Sequence, residues 1–244
     1  MLTLALWCVA ALVAYTIKGF SGFGPALVVV PVLSVLFSPR TALGTSAILD
    51  VAVGLCFLIY LGLNAAQLRL LTKMSGSLIV GTLIGSLSVS FVPRQALLGL
   101  VGVAVLGLAI QLLRTGKPEI NVGRRQMPLQ LSCFLAGLSG GLVGVSGPFM
   151  VAGTARYDKA EMRRLLVAVF LVEGVVKVIT YSFTGVLSTQ TAQLSGLAVP
   201  GIALGMILGI WLHTRVSEKR FITVIGLVLL AVAIQPLTAA LSGS

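Results

Sequence analysis

KGFSGFGP, from Lys18 to Pro25, interrupts what is otherwise an unbroken apolar beginning. A related stretch, GLSGGLVGVSGP, runs from Gly137 to Pro148. Interrupting a helix inside a bilayer strands backbone amides and carbonyls, which is costly unless they are buried in protein or wetted. A run of glycine, serine and proline is therefore tolerated where it lines a cavity. The helix that restarts beyond it offers free N–H groups and the positive end of its dipole, which suits an anion. Pro25 and Pro148 stand near the first turn of such a restarted helix, where a missing N–H is harmless. The alternative is close helix packing through small residues. The coincidence of glycine, serine and proline in both stretches favours two broken membrane segments facing each other across a transport site.

Working outward, the 244-residue chain is 57% hydrophobic and 9% charged, with a mean hydropathy of +1.09. This is the composition of an integral membrane protein; a soluble protein would need polar helix faces, and long windows here carry hardly a charge. The formal net charge of +11 would point to nucleic acid in a soluble chain. Here the basic residues cluster in short loops between apolar segments, as topology determinants do, and nucleic acid is not an expected partner. Cys8, Cys56 and Cys133 lie inside apolar segments without CxxC spacing, and read as packing residues rather than disulfide or metal ligands. The first 16 residues lack a basic start and a clean cleavage signal, so no removed signal peptide is expected.

Apolar stretches fall near 2–17, 24–37, 42–62, 74–92 and 95–113, then 128–141, 147–155, 164–184, 195–213 and 221–236. Spanning takes about 20 residues. The stretches near 128 and 147 are short, and with the glycine breaks they make the first two segments of each half a re-entrant or discontinuous pair. Moving 123 positions onward puts Gly24 on Gly147, Pro25 on Pro148, Asp50 on Glu173 and Gly62 on Gly185. Moving 124 positions puts Gly81 on Gly205, Gly85 on Gly209, Gly102 on Gly226 and Gln111 on Gln235. The glycine matches are weak in a chain with 28 glycines, but only six residues are acidic, and two of those coincide in mid-helix.

Basic clusters occur at Arg69 and Lys73, at Arg114, Lys117, Arg124 and Arg125, at Arg156, Lys159, Arg163 and Arg164, and at Arg215, Lys219 and Arg220. Placing all four in the cytoplasm leaves only Arg40 and Arg94 outside, together with the uncharged loop 186–193. The first half then begins outside and the second inside. The expected fold is an all-α integral membrane protein of two inverted-topology repeats, 1–114 and 128–244, each a broken or re-entrant helix pair plus three transmembrane helices. Residues 115–127, polar with a proline and two glycines, form a cytoplasmic linker. Both termini are expected outside.

The residues for chemistry are few. Lys18 follows a full apolar run and directly precedes the break; it either faces the site or snorkels to an interface. Asp50 and Glu173 are intramembrane carboxylates whose charged form is disfavoured by desolvation, which suits proton coupling. The structural alternative is ion pairing, Glu173 with Lys177 at i, i+4 and Asp50 with Lys18. Ser21, Gly22, Gly24, Thr45, Ser46, Ser146 and Gly147 complete the expected substrate-binding set, with Ser139 nearby. Hydroxyls in membrane helices often bond back to their own helix, so each alone is weak. His213 reads as interfacial. Nucleophile elbows, Walker lysines and metal-spaced carboxylates are absent from the sequence, so no catalytic residue, metal or cofactor is assigned.

GFSGFGPALVVVPVL (Gly19 to Leu33), ALGTSAILD (Ala42 to Asp50) and GLSGGLVGVSGPFMV (Gly137 to Val151) resemble the sulfite exporter TauE/SafE family, also called TSUP. The resemblance covers essentially the whole chain and implies a prokaryotic inner-membrane permease for small anions, frequently sulfur-containing ones such as sulfite or organosulfonates. Family members have two related halves, each with a glycine-rich motif and a following proline. Pro31 stands where the first-half proline is expected, whereas the second copy has Val151-Ala152-Gly153 and none. The expectation is a secondary transporter for a small sulfur anion or carboxylate, with the lipid bilayer as its other partner; a homo-oligomer is compatible with the sequence. A cation transporter using Asp50 and Glu173, or a scaffold subunit whose charges only pair, are the alternatives.

Overall fold

In the computed structural model the described residues, 2–22, 24–115, 127–154 and 159–242, form ten helices and no strand. They are α1 (Leu2–Ser21), α2 (Ala26–Leu36), α3 (Pro39–Leu61), α4 (Ala65–Ser88), α5 (Arg94–Thr115), α6 (Leu129–Val143), α7 (Gly147–Thr154), α8 (Lys159–Phe183), α9 (Thr189–His213) and α10 (Glu218–Ser242). Seven of them are long and apolar enough to cross a membrane. Most of the 115–127 linker, with Lys117, Arg124 and Arg125, lies outside the described residues, as do Phe23 in the first break and Arg156.

Local chemistry sets the boundaries. Asn64 and Gln67 form a reciprocal capping box, which starts α4 nine residues before the apolar run at 74. Ser38 accepts from the Thr41 amide, with Pro39 in the first turn of α3, and Ser188 with Thr191 caps α9 in the same way as α4. At the breaks, the chain leaves its helix through a left-handed glycine. Gly22 (φ 77) donates to the Lys18 carbonyl at 2.8 Å, and Gly144 (φ 77) donates to the Gly140 carbonyl at 3.0 Å. Only glycine takes this conformation without strain. Pro25 then precedes α2, and Pro148 is the second residue of α7. The four segments at the breaks are not all short: α2, α6 and α7 have 11, 15 and 8 residues, but α1 runs 20 residues and is a full candidate span. Lys18 lies in its last turn.

The helices pack through glycine faces. α1 lies parallel to α9: Trp7 Nε1 donates to the Leu194 carbonyl at 2.9 Å near their starts, and further along Gly201, Gly205 and Gly209 abut the backbone of α1 from Cys8 to Phe20. α4 lies parallel to α6 in the same manner, with Gly81 and Gly85 of α4 against Gly137 and Gly141 of α6. A Cβ at any of these positions would collide with the facing backbone, so the small residues permit an approach that larger ones would prevent. By contrast α3 and α8 run antiparallel, with Gly54 against Leu171 and Gly174 against Val51. α5 and α10 do likewise, with Gly102 against Leu237 and Gly226 against Leu113.

These directions sort the charges. Gln130 Nε2 donates to the Lys73 carbonyl at 3.0 Å, which places the starts of α4 and α6 together. The end of α5 meets the start of α10, so Arg69, Lys73, Arg114 and Arg215 share one end of the bundle, and the start of α8 with Arg164 lies at the same end. Arg40 donates to the Ser90 carbonyl at 3.1 Å at the opposite end, where Arg94, the start of α1 and the 186–188 turn also lie.

Candidate functional site

α3 and α8 cross near their middles, and each carries charge at the crossing. Lys177 Nζ donates to Asp50 Oδ2 at 3.0 Å and lies 3.1 Å from Glu173 Oε1. One ammonium thus bridges a carboxylate of its own helix, one turn away, and a carboxylate of the facing helix. All three are at least 95% buried. Glu173 Oε1 packs against Gly140, where a Cβ would occupy the same space and would also meet Ser146 Cβ at 2.9 Å, so Ser146 lies beside the carboxylate. Glu173 Oε2 is buried with no partner. Tyr181, one turn beyond Lys177, donates to the Gly141 carbonyl at 2.6 Å and ties α8 to the last turn of α6.

A narrow cavity lies beside this triad, with room for one water molecule at most. Its lining brings both breaks to one place: Gly24, Ala26 and Leu27 from the start of α2, Gly144 from the end of α6, Ser146 and Gly147 from the start of α7, with Asp50, Lys177 and Phe170. A second, roomier and mostly apolar cavity lies between α5 and the α6–α7 break, lined among others by Gln111, Ser139, Val145 and Pro148. Gly144, Ser146 and Gly147 face the first cavity while Val145 and Pro148 face the second. The second break is thus a wall one strand of backbone thick.

Of the residues singled out from the sequence, Gly24, Asp50, Ser146, Gly147 and Lys177 line the first cavity, and Glu173 adjoins it through Lys177. Gly22 caps α1. The Ser21 hydroxyl donates to the Ile17 carbonyl at 2.8 Å, and Ser139 to the Leu135 and Val145 carbonyls, so both are engaged with backbone. Thr45 and Ser46 are buried with hydroxyls that have no partner. Lys18 is buried without lining the cavity; its ammonium lies 5.9 Å from the Tyr15 ring centroid, within electrostatic reach of Asp50 and Lys177. Pairing of Asp50 with Lys18 is therefore not what the fold adopts, because Lys177 reaches Asp50 first. Sequence reasoning missed Gly140 and Tyr181. Gly140 could have been found as a glycine facing the helix of Glu173, but only once the pairing of α6 with α8 was known.

The model of the sulfite exporter TauE/SafE family matches residues 7–235. The chain belongs to this family. The match spans both halves and both breaks, and membership makes the chain a multi-pass membrane transporter. Neither the curated proteins nor the solved structures yield a match.

Proposed function

We propose that this TauE/SafE family member is a secondary transporter, not an enzyme, that carries a small anion by alternating access. The observation that carries this reading is the convergence of both helix breaks with Asp50 and Lys177 on one buried cavity. Helix starts at Gly24–Ala26 and Ser146–Gly147 bring N–H groups and positive dipole ends to it, and Lys177 adds a full charge. The family's name favours sulfite or a related sulfur anion as cargo, with small sulfonates and carboxylates sharing the same chemistry. Proton coupling rests on the pair of buried carboxylates, Asp50 and Glu173, that share Lys177. The antiparallel pairing of α3 with α8 and of α5 with α10 supports two inverted repeats. By the positive-inside rule the basic end faces the cytoplasm of a prokaryote and both termini lie outside.

Lys177 counts against a cation carrier, since it already occupies the space between the two carboxylates. Flux of sulfite, methanesulfonate and acetate into proteoliposomes tests the reading. Saturable uptake or counterflow of at least one is expected; no saturable flux of any would overturn the substrate class, and sodium or divalent-metal flux abolished by Asp50→Asn would replace it with the cation carrier.

A further inference from the structure

The two carboxylates of the triad are not equivalent. Asp50 lines the cavity and is bound to Lys177 through Oδ2. Glu173 does not line the cavity but adjoins it behind Lys177, to which it is bound through Oε1, and leaves Oε2 buried without a donor. Asp50 can therefore be solvated when the cavity is wet. Glu173 is screened from that water by Lys177 while the pair is closed, and an ionised carboxylate with one bare oxygen is tolerated only while Lys177 holds the other.

An anion entering the cavity meets a cation that is already satisfied twice. Binding it requires one carboxylate to let go, and a released carboxylate that stays charged would face the anion at short range in a poorly solvated site. We infer that the incoming anion takes Lys177 from Glu173, and that Glu173 leaves the pair by accepting a proton on its unpartnered oxygen. This rests on the anion-transporter reading above and assigns the proton to one residue of that site. The proton comes from water on the side to which the cavity is open, forms the O–H bond at Glu173 Oε2, and is returned to water on the other side when the anion leaves and Lys177 closes back on the carboxylate.

The charge count fixes the stoichiometry. The groups facing Glu173 are Lys177 and Tyr181 on α8 itself, Asp50 on α3 and the Ser146 hydroxyl at the α6–α7 break; α4, also packed on α8, brings no ionisable group to it. Lys18 on α1 reaches Asp50 and Lys177 electrostatically. Two lysines and two carboxylates sum to zero. A monovalent anion with one proton on Glu173 keeps the sum at zero, so the loaded and empty carriers cross with the same charge. Transport is then electroneutral, one proton moving with each monovalent anion in the same direction.

Wild-type proteoliposomes with the membrane potential clamped by potassium and valinomycin test this with sulfite at a pH where the hydrogensulfite monoanion dominates. Accumulation is expected to follow an imposed pH gradient and to stay within about twofold between 0 and −100 mV. Movement of one net charge would instead shift it about 50-fold, and that result overturns the proposal. The second arm is the ratio of flux with and without the pH gradient, which is independent of the absolute rate. Glu173→Gln is expected to bring this ratio to about one and Asp50→Asn to leave it above one; a Glu173→Gln ratio equal to the wild type overturns the assignment. Should Glu173→Gln not fold, the wild-type potential test and the Asp50→Asn ratio decide, a ratio of one in Asp50→Asn moving the proton to Asp50. Failure of the transporter reading itself looks different: the wild type then shows no counterflow of any anion.

Discussion

Lys177 Nζ and Asp50 Oδ2 meet at 3.0 Å across the α3–α8 crossing, so one buried, hydrogen-bonded ion pair joins α3 to α8. The same ammonium holds Glu173 at 3.1 Å. Removing one partner from a buried pair leaves an uncompensated charge, which costs about 3–5 kcal/mol, far more than the pair contributes over an apolar replacement. Lys177→Met leaves two. Its folded yield in detergent and its unfolding midpoint are expected to fall sharply and its transport to vanish. The triple variant Lys177→Met, Asp50→Asn, Glu173→Gln is expected to recover the midpoint but not the transport, which separates the structural role of the charges from the functional one. Fluorescence-monitored thermal unfolding together with flux measures both.

Gly144 and Gly185 share a left-handed backbone, φ 77 and φ 71, in different surroundings. An alanine Cβ at Gly185 meets nothing within 4 Å, whereas at Gly144 it meets Val30 Cγ2 at 2.7 Å, beside the cavity that Gly144 lines. Left-handed strain costs about 1–2 kcal/mol at either position. Gly185→Ala is expected to show that loss alone, with transport within about twofold of the wild type. Gly144→Ala is expected to lose at least about tenfold in transport, because it also moves the wall between the two cavities. Equal transport in the two variants would show that the second break is a passive linker.

Much of the architecture was legible because it follows from one-dimensional facts. Apolar length and the glycine-proline breaks located all ten helices, and capping residues moved only the boundaries, as Asn64 and Gln67 do for α4. The Glu173–Lys177 pair was legible as a spacing of four on one helix. The Asp50–Lys177 bond was not. It depends on α3 crossing α8 at one register, set by Gly54 and Gly174, and no periodicity within either segment encodes that meeting. The same holds for Lys18: its burial followed from its place after a long apolar run, but its direction depends on α1 lying along the glycine face of α9, 187 positions from Trp7 to the Leu194 carbonyl it binds. Whether the first segment of each half would be short was also beyond reach, since α1 and α6 differ in length while sharing the same left-handed glycine end.

Sidedness is open to direct labelling. Lys73 lies at the basic end of the bundle and Arg94 at the other; both side chains are exposed. With Cys8, Cys56 and Cys133 replaced by alanine or serine, Arg94→Cys is expected to react with a membrane-impermeant maleimide in intact spheroplasts. Lys73→Cys is expected to react only after permeabilisation. The opposite pattern would invert the orientation while leaving the fold and the site as described.

Lys18 offers the contrast to Lys177. Both are buried lysines, yet Lys18 forms no ion pair with Asp50 or Glu173, which Lys177 holds instead. Its ammonium rests over the Tyr15 ring and near the carbonyl end of α1, where the helix dipole offsets part of its charge. Replacing it with methionine therefore strands no carboxylate, and the folded yield and unfolding midpoint of Lys18→Met are expected to stay close to the wild type. What changes is the field at the site, since Lys18 acts on both Asp50 and Lys177. An anion should bind more weakly without that charge, by about tenfold or 1.4 kcal/mol, seen as a raised KM for flux with a smaller change in maximal rate. Restoration of the wild-type KM by Lys18→Arg would identify charge as the property that matters. If Lys18→Met instead unfolds the protein as Lys177→Met does, Lys18 is a structural counter-ion after all, and the anion site is built on Lys177 alone.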